Sequence, residues 1–280
     1  MSCIGRLLVA GAMGGLGEVV GPLASPAGAV ASAAVAQGQP VDSLLTEARA
    51  LGAMEPARAL EALRAVLAVD SSNYEAHWRV AVVEVETVLF TPSGPAQDSA
   101  YLLAERHARR AVAIDSTRVD GHFALAMALG RIALTKGKRE RLRYAREIYE
   151  VATRAATLDP NHDGVHHVLA LWHAEAMRIS GLNRFFAKNL LGGKFLGQAS
   201  WAKAVEHLET AVRLDPGRVY HRLDLARVYV DRKRFTDARE QLEAISALPD
   251  RVAGDIEYRR EAAALLGAIA GKEDRDPKTG

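Results

Sequence analysis

Residues 155–167 read AATLDPNHDGVHH. The stretch closes one amphipathic helix, whose last apolar residue is Leu158, and opens another within a few residues. Asp159-Pro160 is the stop-and-start signal, because proline cannot continue a helix but fits the first turn of the next one. Three further segments share the pattern: AVLAVDSSNYEAHW (65–78), AVAIDSTRVDGHF (111–123) and AVRLDPGRVYHR (211–222). Their aspartates are Asp70, Asp115 and Asp215, each preceded by an apolar residue (Val69, Ile114, Leu214). A junction that recurs along a chain marks a row of stacked helical units.

In this register the chain resembles the tetratricopeptide repeat (TPR). With the residue after each aspartate as closing position 32, the small position 8 of the first helix is Ala81, Ala126, Ala170 and Ala226. Position 7 is Val80, Leu125, Leu169 and Leu225, and position 20 of the second helix is Ala59, Ala104, Ala204 and Ala238. Position 27 is Ala111, Ala155 and Ala211, and Tyr229 fills the usual aromatic position 11. Small residues are needed where the two helices of a hairpin approach closely. The resemblance implies an all-α, TPR-like helical-hairpin solenoid, a right-handed superhelix with long helices and a helical insert.

The period departs from the usual 34 residues: successive aspartates lie 45, 44 and 56 apart. Both helix signatures stay intact, so the extra residues belong between them. The first insert holds Thr91-Pro92-Ser93-Gly94-Pro95, read as a turn-rich loop. The second, around Lys136 to Arg143, reads as a helix extension, and the third is Gly181 to Ser200, GLNRFFAKNLLGGKFLGQAS. Helices are expected at about 42–52, 55–69, 73–89, 98–114, 118–136, 139–158, 162–179, 183–191, 200–214, 218–232, 235–247 and 252–270, the last capping the array. The repeat domain is placed at 41–270 and a solvated tail at 271–280.

Residues 1–36 form a signal peptide or a disordered leader. One positive charge, Arg6, precedes the apolar run Leu7 to Met13, and Ala29-Val30-Ala31 and Ala34-Val35-Ala36 are A-x-A patterns suited to cleavage. The expected location is therefore periplasmic or secreted, with the cytoplasm as the alternative. The balance of 36 Lys+Arg against 34 Asp+Glu gives no case for nucleic acid. The single cysteine, Cys3, excludes an intrachain disulfide framework and a Cys-based zinc site.

Within TPR proteins the chain resembles the regulator of microtubule dynamics family. The resemblance rests on Gly121-His122, Leu158-Asp159-Pro160, Leu171-Trp172, Arg184, Ala187-Lys188, Trp201, Ala204-Val205 and Leu248-Pro249-Asp250. It implies a binding role without enzyme activity. Animal members are linked to microtubules and membrane contact sites, and one branch to phospholipid binding and transfer. A leader on an Ala/Arg-rich chain looks bacterial, so the microtubule role is not carried over.

The residues themselves offer little catalysis. There is no G-x-S-x-G, and the only cysteine sits in the leader. His162, His166 and His173 share a helical face with metal-compatible spacing. His166 and His173 nevertheless occupy TPR positions 4 and 11, which pack inside the hairpin, so no metal and no cofactor is assigned. The groove is more informative. Trp78, Val82, Phe123, Met127, His167, Leu171, Tyr220, Leu223 and Arg227 are expected to line an apolar trough with a polar end at His167, Tyr220 and Arg227. The insert carries Arg184, Lys188, Phe185, Phe186, Leu191 and Phe195 as a lid or plug, and its basic amphipathic character suits peripheral membrane contact. The expected function is binding of an apolar ligand or phospholipid in the groove. The alternative is a protein–protein scaffold with the groove plugged by 181–200.

Overall fold

The computed structural model describes residues 40–52, 54–179 and 193–274. The leader, the insert helix expected at 183–191 and residues 275–280 of the tail lie outside them. Among the described residues the chain forms eleven α-helices and no strand: α1 Val41–Leu51, α2 Pro56–Val69, α3 Tyr74–Val88, α4 Pro95–Ile114, α5 Val119–Thr135, α6 Lys138–Leu158, α7 Asp163–Arg178, α8 Trp201–Leu214, α9 Val219–Asp231, α10 Phe235–Ile245 and α11 Asp255–Ala268. A short 3-10 turn, Lys194–Gln198, precedes α8.

The four aspartate junctions share one construction. Each aspartate ends its helix by donating its backbone N–H to the carbonyl four residues back, at Val66, Ala111, Ala155 or Ala211. Its carboxylate then accepts the backbone N–H two residues on, from Ser72, Thr117, Asn161 or Gly217, at 2.8–3.2 Å. A short polar side chain can hold such a turn by satisfying an amide within it. Asn73, His162 and Ser200 go further and cap α3, α7 and α8 by accepting from Ala76, Val165 and Lys203.

Helices pair as α1/α2, α3/α4, α5/α6, α7/α8 and α9/α10, and the leading helices α3, α5, α7 and α9 stand side by side. The signature alanines sit where these helices meet. Ala59, Ala81, Ala104, Ala126, Ala170, Ala204, Ala226 and Ala238 are all at most 1% exposed, so a larger side chain would push the helix axes apart. Helix α11 packs on α9 and α10 through Ala262 and Ile269. It also reaches back to the turn after α3, where the Phe90 ring lies on Gly254 and meets Tyr258 edge-on at 5.1 Å between centroids.

Two details differ from the sequence expectation. The turn expected at Thr91 to Pro95 spans Thr91 to Gly94, and α4 begins at Pro95, three residues before the expected 98, with proline in the first turn where its missing N–H costs nothing. The extra residues of the first two units thus lengthen α4 and α6 to 20 and 21 residues, against 14 in α8 and 11 in α10. The described end of the third insert folds onto α5, α6 and α7. Leu196 is buried with Ile132, Ile148 and Trp172, and Phe195 packs beside them. The Tyr149 hydroxyl donates to Gln198 Oε1 at 2.6 Å.

Candidate ligand-binding site on the inner face

The inner face is carried by α3, α5, α7 and α9, and its frame is a repeated hydrogen bond at position 4. The Nε2–H of His77, His122 and His166 donates to the carbonyl six residues back, at Ser71, Ser116 and Pro160, over 3.1, 3.0 and 2.8 Å. In the last hairpin Arg222 Nε donates to Pro216 in the same way, at 3.2 Å. This use of Nε2 leaves Nδ1 of His77 and His166 as acceptors. They face Nδ1 of His107 and His207 at 2.9 Å, so those rings donate. Burial, with a histidine neighbour behind it, pushes His107 and His207 down to about 4. Arg222 and Gln241 Oε1, 2.9 Å apart, stand in for the ring pair in α9/α10.

The histidine row of α7 is therefore committed to structure. His162 caps the helix and lies 4.7 Å from the Phe123 ring. His166 bridges Pro160 and His207, and His173, 2% exposed, stacks on His207 at 5.7 Å. The motif that looked metal-compatible is the stitching of the α7/α8 hairpin.

The expected trough residues divide into two groups. Trp78, Val82, Phe123, Met127 and Leu171 are half-buried, with the first four packed on the α3–α7 core. The Arg79 guanidinium lies 4.4 Å from the Trp78 ring. Leu223, expected to line the trough, is fully buried between α8 and α10 instead.

His167, Tyr220 and Arg227 belong to a polar chain that crosses from α7 through α9 to α11. His221 Nε2 faces Asp163 Oδ2 at 2.8 Å, the two Nδ1 atoms of His221 and His167 are 3.0 Å apart, and His167 Nε2 lies 3.3 Å from Asp224 Oδ2. Asp224 accepts from Arg227 at 2.7 Å, and Arg227 also donates to Glu261 of α11. The outer nitrogen of each ring faces a carboxylate, and the tautomers of the two rings decide which Nδ1 donates across the contact between them.

The charges in this chain follow from burial. Burial raises the Asp224 carboxyl, but Arg227 and His167 outweigh it and hold the group well below its ordinary range. Burial likewise works against Asp163, whose contact with His221 brings it to about 2, while burial lowers His221 to about 4. Arg227, expected to meet a headgroup, already serves two carboxylates. Tyr220 sits 5.0 Å from His167 and 5.8 Å from Tyr258 of α11.

Several inner-face groups escaped the sequence reading. Glu86 on α3 is pushed up to about 7 by burial, moderated by Arg218 and Arg131. It and Arg131 of α5 stand nine residues after His77 and His122, one turn beyond the positions chosen for the groove. Carrying the register that far would have found them. Tyr258 and Glu261 had no such signal, because only the return of α11 across the face brings them there. Between α8 and the end of α9, Trp201, Val205, Glu206, Glu209, Arg232 and Arg234 line an open cleft of about 430 Å³. Of the lid or plug residues, Phe195 lies under the Arg146 guanidinium at 5.3 Å, while Arg184, Phe185, Phe186, Lys188 and Leu191 lie outside the described residues.

The solved structure of a TPR protein shares this architecture. A thermophilic TPR protein of Thermus thermophilus superposes with a TM-score of 0.58 at 21% identity, covering 81% of this chain and all of its own. PilF of Pseudomonas aeruginosa gives 0.47 at 18% identity, over 86% of this chain and 91% of its own. No curated protein matches the chain. The family described as regulator of microtubule dynamics protein 1-3 matches residues 41–270, the whole run of hairpins and the capping helix, and the chain belongs to that family.

Proposed function

We propose that the protein is a non-catalytic binding module that takes an amphipathic ligand, a phospholipid or similar apolar molecule with a polar end, along its inner face. One observation carries this reading: a single face is apolar over one stretch of α3 and α5, through Trp78, Val82, Phe123 and Met127, and charged beyond it, at Glu86 and Arg131 and along α7, α9 and α11. An acyl chain suits the first part and a headgroup the second. A hydrophobic cleft with a few placed polar groups is the usual form of a small-ligand site. Residues 1–36 are read as an export leader that puts this module in the periplasm or medium. N-terminal sequencing of the mature protein, beginning at Ser32 or Gln37, tests that placement.

The ligand reading is tested by organic extraction of the purified protein and mass spectrometry. Stoichiometric phospholipid is the expected result. Met127→Glu or Leu171→Glu should abolish uptake and leave the helical circular dichroism signal unchanged; unchanged uptake overturns the assignment of the face. The second reading is a protein-binding scaffold whose groove is filled by the 181–200 insert. It draws support from Leu196, which docks the end of that insert at 3% exposure. A lipid-free preparation that captures a defined partner favours it.

A further inference from the structure

Position 13 of the repeat is occupied by Glu86, Arg131, Glu175 and Asp231, on α3, α5, α7 and α9. In the second half of the row the charges are matched within the fold. Arg178 reaches Glu175 at 2.7 Å and Asp231 at 2.5 Å, with its own side chain 8% exposed. In the first half they are not: neither the Glu86 nor the Arg131 side chain has a hydrogen-bond or ion-pair partner among the described residues. Their surroundings are nonetheless specific. Phe90 lies just past the end of α3, four residues after Glu86, and its ring meets Tyr258, which in turn meets Tyr220; the Glu86 charge acts on both tyrosines. The hydroxyls of Tyr220 and Tyr258 have no hydrogen-bond partner among the described residues. The other charges acting on Glu86 are already held in place. Arg218 donates to Asp215 at 3.0 Å, and Asp255 accepts the backbone N–H groups of Arg251 and Val252 at 2.7 and 3.0 Å.

We propose that Glu86 and Arg131 form a recognition site for a zwitterion that carries an ammonium group and an anionic group. The ammonium is held by the Glu86 carboxylate beside the rings of Phe90, Tyr258 and Tyr220, and the anion by the Arg131 guanidinium. A carboxylate among aromatic rings suits an organic cation, because the ring faces add cation–π attraction. A guanidinium suits phosphate or carboxylate through its planar donor fork. The two charges sum to zero, so a simple anion is opposed by Glu86 and a simple cation by Arg131. Only a ligand bearing both signs satisfies both. The same chemistry belongs to a free zwitterion and to a zwitterionic lipid headgroup. The headgroup source rests on the inner-face reading above, whereas the free zwitterion does not.

The test titrates the purified protein with phosphocholine by calorimetry, and in parallel with 3,3-dimethylbutyl phosphate, which keeps the shape and phosphate but lacks the cation. Phosphocholine should bind about tenfold more tightly, the size of one good cationic contact. Glu86→Gln and Arg131→Met should each weaken it about tenfold. Both variants should keep the wild-type helical signal and melting temperature to within a few degrees. Because the Glu86 carboxyl is pushed up to about 7, wild-type affinity should rise through neutral pH, and in Glu86→Gln it should not. Equal binding of the two phosphates, an unchanged Glu86→Gln variant, or no binding of either compound overturns the site. Phosphatidylcholine vesicles separate the sources. Lipid uptake lost in both Glu86→Gln and Met127→Glu supports the headgroup. Phosphocholine binding without vesicle uptake supports the free zwitterion and overturns the lipid reading alone.

Discussion

At position 9 of the inner-face helices stand Val82 and Met127 in the first half of the array, and Leu171 and Arg227 in the second. Val82 and Met127 pack on the core beside Trp78. Arg227 instead links Asp224 to Glu261, and beyond Asp224 lie His167, His221 and Asp163. One backbone scaffold thus accommodates two ways of lining a groove. The apolar half gains from area removed from water and tolerates imperfect geometry. The charged half gains only while every partner is present, because an unpaired buried charge is far more costly than an unfilled apolar contact. The polar chain also ties α11 to the groove, so the second half is roofed by its own electrostatics.

The most damaging change should be Arg227→Met, which gives the second half the side chain of the first. It leaves Asp224 and Glu261 without their cation, and a loss of about 3–5 kcal/mol is expected in chemical denaturation. The triple variant Asp224→Leu, Arg227→Met, Glu261→Gln should recover most of that loss, since the stranded charges go with their partner. If the triple variant is as unstable as the single one, the packing of Arg227 matters more than its charge.

Acid should come next. His107, His173, His207 and His221 are all held near 4 by burial, against 6.5 in the unfolded chain. The folded state therefore binds fewer protons. Stability is complete above pH 6.5 and falls as the pH drops toward 4. Three of the four lie on α7, α8 and α9, so hydrogen exchange in acid should speed up there before it does on α1 to α3. Uniform acceleration along the chain would contradict the division.

Two glycines give the smaller tests. A methyl group at Gly164 would lie 2.5 Å from the Phe123 ring, so Gly164→Ala should cost about 1–3 kcal/mol through overpacking of the α5–α7 contact. Gly130, toward the end of α5, has no atom of the described residues within 4 Å of the corresponding position. Gly130→Ala should stabilise by about 0.5–1 kcal/mol, the helix-interior penalty of glycine, and leave ligand uptake intact. Thermal melts check both.

Much of this was legible in the sequence. The four aspartate junctions placed the α2/α3, α4/α5, α6/α7 and α8/α9 boundaries to within a few residues, because a helix stop is a local event. It depends on an Asx turn and on proline or serine next to it. The signature alanines marked the close approaches for the same reason. The inserts were harder. Thr91 to Gly94 form the turn that composition indicated, but Pro95 already opens α4, three residues before the expected start, since proline is harmless in the first turn. Leu223 was assigned to the groove by register, but it turns into the core, where α8 and α10 close over it.

The polar end of the inner face shows the limit most clearly. His167 and Arg227 were marked from their positions, but not the carboxylates that face them. Asp163, Asp224 and Glu261 lie on three helices, separated by as much as 98 residues in the chain. Only packing brings them together, and only packing places Phe90 against Tyr258 across the groove. What the sequence by itself determined is the repeat: where helices stop, which faces carry alanine, and which positions look inward. The tertiary structure decided which inward-facing charges are matched and which, like Glu86 and Arg131, have no partner among the described residues. Helix periodicity is encoded within a few residues, whereas charge pairing across a solenoid depends on distances that no local pattern contains.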